Sequence, residues 1–499
     1  MGWIKFPAVL AELLTGSGAF GDDTGIGDSR KDTSPMEQHS AAMSKQDLWI
    51  TLNVAFAGFM VSLDHYIVNI CLPAIAKDLS VGTSEVSRVV LAYFVVMAST
   101  LLVFGKLGDR IGFRSMFRWG YLSFGLGSLL CGISPSLNIL LFSRCVQGIG
   151  GAMLYSSLFA IIPRFLPPTV VGRAFGMLST LATLGIIAGA PLGGFIAGYF
   201  HWQWVFLMNV PLVIVAILFG MRALAKEEGT ASGAGGAFDA PGAILVFLGL
   251  LALIYGINSV HTFGWRSTTV LLSFAASAVF FAFFIWRELH VENPMVDLTT
   301  FKNLDFSFTN LATLTAVMFM AGSNFLIPFY LVEAKELAVE RAGVVFLVYS
   351  VTYMIVSPLA GRAADRVHPF YLRLTGVFLA AGAAVFFAQF NRSLGLWSVI
   401  VFLGWLGIAY GFFMSPNTKH TMSTVSPEQK GVVSGIFTTI TMLGLVLGVS
   451  LFESIFSAVN PGDSLFSAFQ KAYWLGAFLC IASAGFIVLA RRNSTVPRS

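Results

Sequence analysis

Between residues 48 and 490 the chain holds fourteen apolar runs of about 18 to 25 residues, and nothing constrains its fold more. They lie near 48–75, 85–104, 116–134, 137–163, 173–198, 203–222, 240–260, 268–287, 306–332, 340–360, 370–390, 395–416, 430–456 and 469–490. The hydrocarbon layer of a bilayer is about 30 Å thick, and a helix rising about 1.5 Å per residue crosses it in about 20 residues. Lipid offers no water to backbone N–H and C=O groups, so runs of this kind must be helical. Composition agrees: 56% of residues are hydrophobic and 11% charged, with a mean hydropathy of +0.79, whereas roughly a quarter of a soluble protein is charged. The reading is an all-α membrane protein. Its 50 Gly and 47 Phe suit a bundle in lipid, with glycine letting backbones approach and rings filling the gaps.

The positive charge has a topological meaning here. A formal net charge of +5 and a pI near 9.0 would suggest nucleic acid in a soluble chain, but these Lys and Arg residues sit in short loops between apolar runs. Placing the N-terminus inside puts 22 of the 30 basic residues on the cytoplasmic side and 7 outside, with Arg144 alone inside a span. That bias predicts a multi-pass protein of the inner (cytoplasmic) membrane with both termini cytoplasmic and no nucleic-acid partner. Residues 1–46, rich in Gly, Ser, Asp and Thr, are expected to be a disordered cytoplasmic tail, with Met36 and Met43 as alternative starts, and 491–499 a second tail. Cys71, Cys131, Cys145 and Cys480 fall in or beside apolar spans at spacings that make no metal site, and the histidines are scattered. No GxxxxGK[ST] loop is present, so neither ATP-driven work nor an enzyme is expected.

An internal repeat organises the spans. After the second run the chain reads Gly105-Lys106-Leu107-Gly108-Asp109-Arg110-Ile111-Gly112-Phe113-Arg114, and after the tenth it reads Gly361-Arg362-Ala363-Ala364-Asp365-Arg366-Val367. The echo comes eight spans later rather than six. Two six-helix halves, 47–222 and 306–490, with two inserted helices at 239–288, account for it. The insert is flanked by a Gly/Ala-rich linker, 229–237, and by the polar segment 288–305. Two such halves packed about an axis along the membrane normal form an alternating-access architecture, with the site between them near mid-membrane.

Within the first run sits Asp64. An acid at the bilayer centre costs several kcal/mol unless it meets a partner or a watery cavity, so it is the leading site candidate. If the first span ends near Ile75, Asp64 lies about 16 Å below that edge. The fourth span enters near Leu137, placing Arg144 about 10 Å down and Gln147 about 15 Å down. Similar depth puts an Asp64–Arg144 pair or an Asp64–Gln147 hydrogen bond within reach; a permanent buried ion pair with no functional role is the competing reading. An acid moving between that pairing and a desolvated state is a workable proton-coupling device. Asn69, Tyr93 and Glu453 are further cavity candidates, though interhelical hydrogen bonds or an interfacial acid explain them equally well. Glu333 and Glu336 read as solvated.

These segments resemble a known family. The 105–114 loop is similar to the signature between helices 2 and 3 of the major facilitator superfamily, with Gly361, Asp365 and Arg366 in its weaker second copy. Arg144-Cys145-Val146-Gln147-Gly148-Ile149-Gly150-Gly151-Ala152 resembles its fourth-helix motif RxxQGxGgA. Leu63-Asp64-His65-Tyr66-Ile67-Val68-Asn69-Ile70-Cys71-Leu72-Pro73 is similar to the LDxTIVNxALP motif of fourteen-span drug:proton antiporters of the EmrB/QacA type, as is His201 to Phe206 followed by Asn209-Val210-Pro211. Gly185, Gly189, Pro191, Gly193 and Gly194 resemble the antiporter motif of the fifth helix, with the proline one position late. Tyr66 stands for a Thr, Phe113 for a basic residue and His368 for a Gly. The resemblance implies a major facilitator fold and efflux of amphipathic or cationic drugs driven by the proton motive force, with no cofactor. It gives Asp64 and Arg144 to proton coupling and Gly105, Gly108, Asp109, Arg110, Gly112 and Arg114 to a conformational gate. A metabolite, siderophore or lipid-like substrate and a non-transporting sensor are the other readings, and a periplasmic adaptor extending the path is left open.

Overall fold

Among the described residues, four long helices start on a side-chain N-cap, at Ser44, Asp239, Asn303 and His368. The computed structural model describes residues 43–223, 239–291, 294, 298–389, 395–424, 430–458 and 465–493. In chain order these form α1 (Lys45–Asp78), α2 (Thr83–Ile111), α3 (Phe113–Gly132), α4 (Leu137–Phe165), α5 (Pro168–Tyr199) and α6 (Asn209–Ala223, entered through one turn at Trp204–Leu207). There follow α7 (Ala240–Phe263), α8 (Thr268–Glu288), α9 (Leu304–Phe329, prolonged by a π-helical turn at Tyr330–Ala334), α10 (Val339–Ala363), α11 (Pro369–Ala388), α12 (Leu396–Ser423), α13 (Lys430–Ser457) and α14 (Leu465–Asn493). Ser44 starts α1 with a reciprocal box: its Oγ accepts from the Asp47 N–H and its own N–H donates to the Asp47 carboxylate, each at 3.1 Å. The helix thus begins just ahead of the expected tail boundary at residue 46. The rest of that tail, the 229–237 linker and residues 494–499 lie outside the described residues.

Each expected apolar run coincides with a helix, yet among the described residues twelve helices are long and apolar enough to cross a membrane. Fourteen crossings were expected, so two runs fall short. Helix α3 carries Arg114 and Arg118 in its first two turns together with several glycines, and the described apolar stretch entering α6 covers only Trp204–Leu218.

Packing separates the helices into two sets. In the first, α1 packs on α5, α2 and α3 on α4, and α3 on α6. In the second, α9 packs on α13 and α14, α12 on α10 and α11, and α11 on α14. The sets meet through α5 against α10 and α2 against α13, with α1 touching both α9 and α10. Helix α7 lies against α2 and α13, and α8 packs on α7. Asp239 holds this inserted pair together, capping α7 through the Gly242 N–H at 3.0 Å and pairing with Arg287 of α8 at 2.5 Å.

Glycine sets the closest approaches. Gly185, Gly189 and Gly193 recur every four residues and press one face of α5 onto α1 at Phe59–Leu63, Tyr66–Ile67 and Ile67–Ile70. Gly194 points the other way, to Gly343 of α10, where a Cβ would fall 2.7 Å from the Val339 carbonyl oxygen. Backbones here touch across the two sets.

Candidate functional site: a closed carboxylate cluster in the first half

Asp64 lies in the middle of α1 with no exposed surface. The groups around it all donate. Arg144 Nη1 reaches Oδ2 at 2.8 Å, while Gln147 Nε2 and Asn209 Nδ2 reach Oδ1 at 2.8 and 3.0 Å. A carboxyl flanked by three N–H donors and no acceptor is written as the ionised carboxylate, because a proton on it would have nowhere to point.

Spacing on α4 explains how one helix supplies two of these donors. Arg144 and Gln147 stand three residues apart, hence on one face, and Arg144 Nη1 also donates to Gln147 Oε1 at 2.6 Å. The guanidinium is held from further sides: Nε donates to the Val89 carbonyl oxygen of α2 at 3.1 Å, and Cζ lies 4.3 Å from the Tyr93 ring centroid and 5.6 Å from that of Phe206. Gln147 Nε2 donates in addition to Ser128 Oγ of α3 at 2.9 Å. Five helices of the first set, α1, α2, α3, α4 and α6, thereby contribute to one network.

The structure brings Asp64, Arg144 and Gln147 together and sets Tyr93 over the arginine. The Tyr93 hydroxyl is buried and finds no hydrogen-bond partner, beside Gly151 of the fourth-helix motif. Asn69 is buried on α1 with its Oδ1 unpartnered, outside the network. Glu453 belongs to α13 in the other set, fully buried and accepting from Ser457 at 2.8 Å. Asn209, Ser128 and the Val89 carbonyl are the members that the sequence reading did not assign. Asn209 carried a signal, being an amide ahead of Pro211 in an apolar run, but which face of α6 turns toward α1 is a packing outcome.

At the loop between α2 and α3 the backbone turns at Gly112 with φ +85°, a conformation open chiefly to glycine. Phe113, where a basic residue was expected, is buried beneath Gly108 and has the Arg164 guanidinium 5.6 Å from its ring centroid. Arg110 is exposed and Arg114 half-buried, and a Cβ at Gly105 would meet nothing within 4 Å. The Asp109 side chain, assigned to the gate by the resemblance, lies outside the described residues. Lys106 donates to the Pro294 carbonyl oxygen, tying the loop to the segment after the inserted pair. In the second copy Asp365 pairs with Lys419 of α12, whose Nζ also donates to the Ala364 carbonyl oxygen at 2.8 Å; Arg366 is exposed, and Gly361 lies against Ser415.

The network holds the Asp64 carboxyl out of water on donors from α4 and α6. Among the described residues no group of His, Cys, Asp and Glu is placed to bind a metal.

Comparisons with known proteins agree with this architecture. The chain is 30% identical to the riboflavin transporter RibZ of Clostridioides difficile (strain 630) over 459 residues, 89% of this chain and 98% of that one. It is 31% identical to the lincomycin resistance protein of Streptomyces lincolnensis over 89% of this chain and 91% of that one, and 29% identical to the multidrug resistance protein Stp of Mycobacterium tuberculosis (strain CDC 1551 / Oshkosh) over 83% and 77%. The crystal structure of a bacterial homolog to the human lysosomal transporter Spinster, in an inward-facing and unoccupied conformation, superposes with a TM-score of 0.64 at 15% identity, covering 92% of this chain and 100% of that one. The family description of the Major Facilitator Superfamily matches residues 54–449 and 309–499, nearly the whole described chain, and this protein is a transporter belonging to that superfamily.

Proposed function

We propose that the protein is a proton-coupled antiporter of the drug:proton type that exports amphipathic or cationic compounds, with Asp64 as the proton-carrying group. The observation that carries this reading is the closed set of N–H donors on a carboxylate with no exposed surface. In that state the acid is ionised and closed to substrate, so the cycle needs a second state in which Arg144 withdraws and Asp64 takes a proton. Substrate then bears on Asp64 through the position of Arg144, competing for the conformation rather than for the carboxylate itself. Named resistance and export proteins among the relatives support the substrate class.

Alternating access supplies the rest. We read the contact of Gly194 with Gly343 as closing the outer side, where α5 ends and α10 begins. Near the opposite end of α5, Gly172 and Gly176 have nothing within 4 Å of a would-be Cβ, which favours an inward-open state. We also propose fourteen crossings, with both termini in the cytoplasm and the protein in the inner membrane. Leaving both short runs uncrossed would move Arg164 and Arg173, at the junction of α4 and α5, to the outer side against the basic-residue bias.

A second reading has its own support: the riboflavin transporter matches over 98% of its length, which favours a planar metabolite as substrate. Proteoliposomes under an imposed pH gradient, loaded in turn with lipophilic cations, lincomycin and riboflavin, separate the two. Gradient-driven movement of the cations or lincomycin, abolished by a protonophore, is the expected result. Movement of riboflavin alone would select the second reading, and movement of every compound with no gradient dependence would end the antiport mechanism.

A further inference from the structure

A second buried polar cluster lies in the other half of the molecule, and the mechanism above makes no use of it. Asp305 stands at the start of α9, 3% exposed. His420, near the end of α12, places Nε2 2.9 Å from Asp305 Oδ1. Arg373 of α11 is 1% exposed and donates from Nη2 to Thr309 Oγ1 at 3.2 Å, and that hydroxyl donates to Asp305 Oδ1 at 3.4 Å. Arg373 Nε is buried with no hydrogen-bond partner. Thr309, Thr313 and Asn417 close the cluster from within, none more than 1% exposed, and Asn417 Nδ2 donates to Thr313 Oγ1 at 2.8 Å.

The helices involved, α9, α11 and α12, hold the same places in the second half that α1, α3 and α4 hold in the first. Each half therefore has a buried acid on its first helix facing a cation from a later one. Their depths differ. Asp64 is nineteen residues into α1 and Asp305 one residue into α9, an offset of roughly 25 Å along the helix axis, too far for a proton to pass directly between them.

We propose that Asp305 and His420 form a second proton-binding site, open to the cytoplasmic side through His420, whose charge state sets how firmly the inner ends of α9, α11 and α12 are joined. His420 is the cluster's one part-exposed member, with 11% of its side chain accessible, so protons reach the imidazole first. A protonated ring turns a neutral hydrogen bond to Asp305 into a charge-assisted ion pair. With the ring neutral, Asp305 is balanced by Arg373 through Thr309. One proton thus adds a charge-assisted tie from the Asp305 carboxylate to α12.

Among the described residues, the other charged groups near the cluster are cationic or held neutral. Arg491 of α14 lies over Phe370 at 4.1 Å and Tyr371 at 5.1 Å, and Lys419 is taken up by Asp365. His368, before α11, accepts from the Phe370 N–H through Nδ1 and so serves as a neutral cap. Lost hydration, followed by Arg491, His420 and Arg373, holds its imidazole below the usual range. The added charge accordingly belongs to His420.

The test needs no substrate. Full-length protein labelled with ¹⁵N-histidine is titrated in lipid nanodiscs, and the His420 signal is identified by its loss in His420→Gln. The imidazolium form is expected to appear as pH falls in the wild type and in Asp64→Asn, which separates this site from the coupling acid. In Asp305→Asn its population at a fixed mildly acidic pH should fall, because the ion-pair partner is gone. A neutral His420 across the folded range, or an unchanged population in Asp305→Asn, overturns the site. For the joining role, transport is followed against internal pH in proteoliposomes. The dependence should flatten in His420→Gln and persist in His368→Gln; a His420→Gln profile identical to the wild type overturns the role.

Discussion

The chemistry concentrates in one guanidinium. Arg144 donates to Asp64, Gln147 and the Val89 carbonyl and lies over Tyr93, so it organises the network as well as neutralising the acid. Lysine cannot copy that fork, having a single rotatable ammonium. Arg144→Lys should therefore keep the fold in a thermal melt yet lose most proton-driven transport; retention of transport would mean that charge alone suffices. Arg144→Ala strands a buried carboxylate and should destabilise the protein by about 3–5 kcal/mol, with much of the loss recovered in the Asp64→Asn, Arg144→Ala double variant. The central triad was legible from depth arithmetic along rigid helices. Asn209 and Ser128 were not, because facing depends on how helices rotate against one another, which no residue count reports.

At the scale of elements, glycines decide where helices meet. Gly112→Ala should cost on the order of 1–3 kcal/mol, measured as a lower melting temperature, because φ +85° excludes a Cβ without strain. Gly194→Leu should hold the α5–α10 contact open. Cys71 reports it: the thiol is buried against the Gly193 carbonyl at 3.3 Å, so labelling by an impermeant maleimide from outside should rise in that variant and stay low in the wild type. The cap of α11 gives a pH prediction. His368 binds protons less readily in the folded than in the unfolded protein, so its contribution to stability is complete above the unfolded imidazole's value and is lost as pH falls through the folded one. Melting temperature in detergent should fall on acidification from about pH 6.5 more steeply in the wild type than in His368→Gln.

On the scale of the whole molecule, apolar runs marked each long described helix and the gate-loop echo suggested the insert, because both are one-dimensional signals. Crossing the membrane is a further demand. Arg114 and Arg118 in α3, and the described apolar stretch at Trp204–Leu218, leave twelve helices among the described residues that meet it by length and composition. That α7 wedges against α2 and α13 was outside what the sequence could show, since a uniformly apolar helix marks no preferred face.

The central claim is that proton and transport meet at Asp64. Its most direct measurement compares two modes in one preparation of proteoliposomes: accumulation of a transported substrate driven by a pH gradient, and one-for-one exchange of that substrate with no gradient. Asp64→Asn should lose the first by at least about tenfold and keep the second, because an amide cannot cycle a proton while the halves can still rock. Gradient-driven accumulation by Asp64→Asn at the wild-type level would contradict the account.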